Sequence, residues 1–137
     1  MPLVLPTASE NTMLGFALGV NTPGNQYLKL YTTAVTLSND ALVAGDFTEM
    51  GATLSYVHKV LTKTSWVITQ AGGKASATYA PQTWTFTAGT AVTVHGYFVT
   101  DVTTGLLLWA ESFSSPKVVQ NAGDQIIITP TITLSKE

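Results

Sequence analysis

From Gln26 onward the chain is written in period two. In QYLKLYTT, Tyr27, Lys29 and Tyr31 alternate with Leu28 and Leu30, the mark of a strand with one face buried, because successive side chains on extended backbone point to opposite sides. Comparable runs recur at 56–61, 65–69, 75–80, 83–87, 91–100, 106–113 and 125–134, with turn residues between them. QAGGKA at 70–75 and TDVTTG at 100–105 read as hairpin turns, since glycine reaches the positive φ that tight β connections demand. Eight or so short strands with little helix predict an all-β fold, a single antiparallel β-sandwich or jelly-roll-like barrel with a short N-terminal helix. A chain of 137 residues is one domain's worth. The expected organisation is an N-terminal arm and helix over 1–25 and the β-sandwich over 26–137.

Three stretches depart from the strand pattern. SENTMLGFALG, 9–19, reads as a short helix with Ser9 as N-cap and Gly19 as its stop. Pro130 interrupts the apolar run IIITPTITL and removes a ladder donor, so that strand is expected to be an edge or to bulge there. VTLSNDALVAGDFTEMGA, 35–52, fits no strand period and carries Asp40, Asp46 and Glu49. It reads as a long excursion, and such loops usually serve function or face another subunit.

Charge narrows the function. Only 10% of residues are charged, against about a quarter in ordinary soluble domains, and the net charge is −2. Repulsion between copies is weak, which favours association. All six basic residues are lysines, scattered along the chain, and arginine is absent. Nucleic acid is therefore an unexpected partner, as is any ligand recognised by a guanidinium fork. With no cysteine there are neither disulfides nor thiolate metal sites. No apolar run approaches the ~18 residues that cross a bilayer, so no membrane partner is expected. The start, MPLVLPTASE, lacks a basic residue and holds Pro2 and Pro6, which makes it a poor secretory leader.

No motif dictates a reaction. His58 and His95 are isolated on strand-like runs, without the additional ligands that zinc requires. There is no GxSxG elbow to expose a serine nucleophile, and AGGK at 71–74 lacks the leading glycine and the closing hydroxyl of a phosphate loop. Asp40, Asp46, Asp101 and Asp124 sit in turn contexts. Glu111, in GLLLWAESF, is the exception: on a strand it shares a side with Trp109 and Phe113. A carboxylate there needs a donor, with Lys59, Lys117 and His58 as candidates, and the reading favours a structural or interfacial hydrogen bond over a general acid. Trp66, Trp84 and Trp109 each share a face with a large apolar neighbour, which reads as core or subunit contact more readily than as a sugar-stacking platform. The expectation is a non-enzymatic protein without metal or cofactor.

In LKLYTTAVT, TYAPQTWTF, VHGYFVTDVTTGLLLWAESF and NAGDQIIITPTITL, spanning 28–134, the chain resembles small structural proteins of tailed bacteriophages, cyanophages among them. The resemblance transfers no catalytic residue. It implies a virion component made in the host cytoplasm: a capsid decoration or cement protein, trimeric, bound to the major capsid protein or other virion proteins. Under that reading the apolar start (Leu3, Val4, Leu5) and the long excursion (Leu42, Val43, Phe47) are the expected interface anchors. A tail- or fibre-associated module that binds a host glycan is the alternative.

Overall fold

Five strands form the central sheet, in the order β1-β8-β7-β2-β3, every pair antiparallel. They are β1 (Leu3–Val4), β2 (Gln26–Tyr31), β3 (Lys59–Leu61), β7 (Val92–Asp101) and β8 (Leu107–Val119). A three-stranded sheet runs β10-β5-β4, from β4 (Val67–Ala71), β5 (Lys74–Thr78) and β10 (Thr131–Ser135); β6 (Gln82–Thr85) pairs with β9 (Gln125–Ile128). One helix, α1 (Thr7–Ala17), precedes β2. The structure is a computed structural model and describes residues 3–38 and 40–135; of Leu3, Val4, Ala8 and Ser135 the backbone alone is described. The fold is the expected all-β single-domain sandwich with a short N-terminal helix.

Register assigns the two faces of the central sheet. Leu28 pairs with Val99 and Val99 with Trp109, while Leu30 pairs with Tyr97 and Tyr97 with Glu111. Directly paired residues share a face, so Leu28, Leu30, Tyr97, Val99 and Trp109 form one apolar surface, with Glu111 on the same side. It closes against Trp84, Ile126 and Ile128 of the β6–β9 pair and against Tyr79, Phe86 and Val119, which together make the main core. Leu5 and Met13 pack on that core, so the N-terminal segment is tied to the β domain.

The other face is covered by the 35–52 excursion. Leu37, Leu42 and Phe47 are buried with Tyr31, Phe98, Leu107 and Ala110 in a second apolar cluster, where the Phe47 and Phe98 rings stack at 5.1 Å. The segment shows no period because it is a lid rather than a strand. Asp46 shapes its single 3-10 turn (Ala44–Asp46) by accepting the Val43 N–H at 2.8 Å. Its end then takes the place of a strand: Met50 N–H donates to Leu30 O at 2.8 Å and Thr32 N–H to Thr48 O at 2.9 Å, along the part of β2 that short β3 leaves uncovered.

Three local readings need correction. The helix starts at Thr7, after Pro6 in extended conformation, and Ser9 lies inside its first turn, donating its hydroxyl to Pro6 O at 2.7 Å. Proline pre-sets the entry and leaves Ser9 to bond backward rather than cap. Pro130 does not bulge a single strand: it ends one and starts another, so β9 and β10 belong to different sheets. Lacking an N–H and fixed in φ, proline serves here as the corner between layers. The 106–113 strand, finally, continues to Val119 through Pro116. It can do so because Gly96 pairs with Ser112 and Val94 with Lys117, leaving Phe113 to Pro116 opposite His95 alone in a wide bulge.

Candidate functional site

Two carboxylates draw polar groups around them. Glu49 lies near the end of the excursion, bridged to Tyr31, the last residue of β2. Its Oε1 accepts from the Tyr56 hydroxyl at 3.1 Å and contacts His58 Nδ1 at 3.1 Å, and its Oε2 lies 3.4 Å from Lys29 Nζ. The Tyr56 hydroxyl in turn accepts the Leu30 N–H at 3.0 Å. Burial raises the Tyr56 pKa, the Leu30 N–H acts in the lowering direction, and the Glu49 charge adds to the rise. The Tyr27 ring sits against His58 at 4.4 Å. Every oxygen of this carboxylate is engaged, so its role is to lash the excursion to β2.

Glu111 is different. It stands half-buried on β8, facing the core side with Trp109 and Phe113 as the alternation requires. Its Oε2 accepts the Tyr97 hydroxyl at 2.5 Å, and Oε1 has no hydrogen-bond partner among the described residues. Tyr97 is raised above the ordinary phenol range, chiefly by burial and then by its bond to Glu111 and that charge. The Trp109 indole N–H acts in the lowering direction without reaching hydrogen-bond geometry. Tyr31, on β2, is pushed up to about 12 by burial and then by the Glu111 charge, and its hydroxyl has no hydrogen-bond partner among the described residues.

Beside Glu111 the β8 bulge and the Thr129–Pro130–Thr131 corner enclose an open cleft of about 530 Å³. Lys117 lines it with Phe113, Ser114 and Ser115. The Lys117 ammonium lies 5.8 Å from the Phe113 ring centre and forms no ion pair among the described residues. None of the three expected donors to Glu111 (Lys59, Lys117, His58) is the one used. Counting outward from the TDVTTG turn would set Tyr97 opposite Ala110, since Thr100 pairs with Leu107; the irregularity between Val99 and Thr100 shifts the register by one and brings Tyr97 opposite Glu111.

The remaining candidates separate. His58 belongs to the Glu49 network, and His95 faces the bulge with no hydrogen bond among the described residues. No group of three or more metal-ligating residues occurs among the described residues. Trp84 and Trp109 are each 3% exposed, and Trp66 is wedged edge-on against Tyr79 and Trp109 with its indole N–H on Gln26 Oε1 at 3.0 Å. The tryptophans are core. Of the expected anchors, Leu42 and Phe47 are buried within the chain itself and Leu5 packs on the main core, because one sheet face would otherwise lie bare. Val43 is 54% exposed and lines, with Leu42, a groove of about 640 Å³ between α1 and the 101–107 turn. Leu3 and Val4 form β1, with Leu3 paired to Glu111; their side chains lie outside the description.

One exposed feature had no forerunner in the sequence reading. All five residues of β4 are exposed, with Val67 at 61% and Ile68 at 68%, and among the described residues β4 pairs only with β5. From Trp66 to Gly73 there is no charged residue.

No protein-family model matches the chain, and no curated protein matches it.

Proposed function

We propose that the chain is a structural component of a tailed-phage virion, a capsid decoration or cement protein that works through protein–protein contacts with the major capsid protein and with its own copies, as a trimer. The observation that carries this reading is the bare edge of β4. Monomeric proteins guard a free strand edge with lysine, proline, a bulge or a covering segment. The VITQA edge has none of these and adds two exposed branched side chains. Such an edge is suited to adding a strand from a neighbour, where backbone hydrogen bonds supply affinity. A low net charge and many repeated copies would let weak contacts add up across a shell. The role needs neither cofactor nor turnover, and the resemblance to phage structural proteins points the same way.

Quantitative mass spectrometry of purified particles tests the proposal. On the order of hundreds of copies per particle is expected for a head lattice, and absence from particles overturns the reading. An Ile68→Lys chain, which places a charge on the edge, is expected to stay folded and to lose particle binding. The alternative, a tail or fibre module binding a glycan, draws no support from the buried tryptophans; the Glu111 cleft is the feature that favours it.

A further inference from the structure

We infer that the cleft beside Glu111 is a binding site for a neutral saccharide. The inference does not depend on the place of the chain in a particle. It begins with two charges that do not satisfy each other. Glu111 Oε1 is without a hydrogen bond, and Lys117 is without an ion pair, among the described residues. Both line one cleft. Glu111 is half-buried and Lys117 is exposed at the rim, and a ligand that offers a donor at one end and an acceptor at the other would engage both.

The lining narrows the chemical class. The Tyr97 hydroxyl holds Glu111 through Oε2, which orients Oε1 as a fixed acceptor. Phe113 and the exposed Ile127 supply apolar surface, and Ser115 adds a hydroxyl. An anionic ligand would meet the Glu111 charge, offset by Lys117 alone, since the chain has no arginine. A metal ion would find a single carboxylate, since no cluster of ligating residues occurs among the described residues. A polyhydroxylated neutral molecule meets every requirement: hydroxyl hydrogens for Glu111, ring or hydroxyl oxygens for Lys117, and C–H faces for Phe113 and Ile127.

Register supplies the size. Glu111 pairs with Tyr97 and Lys117 with Val94, so the two charged residues stand three positions apart along β7, roughly 10 Å at strand spacing. The cleft of about 530 Å³ falls within the usual range for small-ligand sites. The bulge from Phe113 to Pro116 is what opens this space; without it β8 would lie flat against β7.

The test is a titration of the isotopically labelled full chain, followed by amide chemical shifts, with maltose, cellobiose, lactose and N,N′-diacetylchitobiose, and with glycylglycine as a zwitterion of different chemistry. At least one disaccharide is expected to shift amides at 111–117 and 127–131 and to leave the β4–β5 hairpin unmoved. Glu111→Gln, which keeps the shape of the side chain, and Lys117→Met, at an exposed position, are each expected to weaken that binding about ten-fold, the scale of one charged hydrogen bond. Absence of shifts with every disaccharide, shifts confined to another surface, unchanged affinity in Glu111→Gln, or a response to glycylglycine alone would overturn the inference.

Discussion

Glu49 and Glu111 are built from the same parts and end in different states. Each is a partly exposed glutamate bonded to the hydroxyl of a tyrosine in the main core, Tyr56 in one case and Tyr97 in the other. At Glu49 both oxygens are engaged, and the carboxylate joins the excursion, β2 and the 56–58 segment. At Glu111 one oxygen is engaged and the other faces a cleft. A carboxylate with all its acceptor capacity used is part of the scaffold; one held rigidly by a single oxygen is available to something else. Both tyrosines have raised pKa values for the same leading reason, burial. The perturbation alone does not tell the two sites apart; the count of free lone pairs does.

The largest expected effect falls on the Glu111 side. A Cβ at Gly96 would approach Glu111 O, Tyr31 Oη and Ser112 Cα well inside contact distance, and two of these are backbone atoms that have little room to yield. Gly96→Ala is expected to cost about 3 kcal/mol in denaturant unfolding, at the upper end of overpacking penalties. In a chain that still folds, the shifted amides should cluster on β7, β8 and Tyr31 and leave the Glu49 network in place.

Next in size is the pair of carboxylate substitutions. Glu49→Ala removes the acceptor of the Tyr56 hydroxyl together with the contacts to His58 and Lys29, for an expected loss of about 2 kcal/mol. Glu111→Gln keeps an acceptor for Tyr97 and is expected to cost less than about 1 kcal/mol. Equal losses at the two positions would break the distinction between a scaffold carboxylate and an open one.

Alkaline titration sharpens the comparison further. Tyr31 is raised from an ordinary value of 10.0 to about 12 in the fold. The folded state therefore favours the neutral phenol, and the associated stability is complete below pH 10 and is lost as pH rises through the window from 10 to 12. Tyr31→Phe removes a hydroxyl that has no hydrogen-bond partner among the described residues. It is expected to leave stability at neutral pH unchanged or slightly higher and to flatten the decline across that window. Stability curves for the two chains that run parallel from pH 9 to 12 would show that Tyr31 is not the group responsible.

Much of the scaffold was legible because period two survives wherever one face is buried. The alternation of Leu28 and Leu30 located β2, and TDVTTG located the β7–β8 hairpin. The excursion was visible as an absence of period, while its job as a cover was not, since Leu37, Leu42 and Phe47 reach the sheet from irregular backbone with no repeat to reveal it. Pro130 announced a break, but whether a proline bends a strand or divides it between sheets depends on what each half can pair with. The side of Glu111 followed from alternation, whereas its partner did not follow from counting, because the irregularity between Val99 and Thr100 shifts the hairpin register by one residue. The cleft beside it did not, because a bulge is a mismatch between two strands and neither strand carries it alone.

Near Glu49 the backbone holds strain of its own. Leu54 and Ser55 have φ values of 53° and 64°, in the left-handed region, just before Tyr56 delivers its hydroxyl to Glu49. For a residue with a Cβ that conformation costs about 1–2 kcal/mol. Leu54 is buried in the main core, so its side chain is needed there, whereas Ser55 is exposed and its hydroxyl is only 3.4 Å from Thr87 Oγ1. Ser55→Gly is therefore expected to stabilise the fold slightly, by about 0.5 kcal/mol once the greater freedom of glycine in the unfolded chain is set against the relieved strain. Ser55→Ala should show no gain, because it keeps the Cβ. If both variants raise the denaturant midpoint equally, the hydroxyl and not the left-handed backbone is the unfavourable element. In that case Tyr56 reaches Glu49 without strain in the turn that positions it.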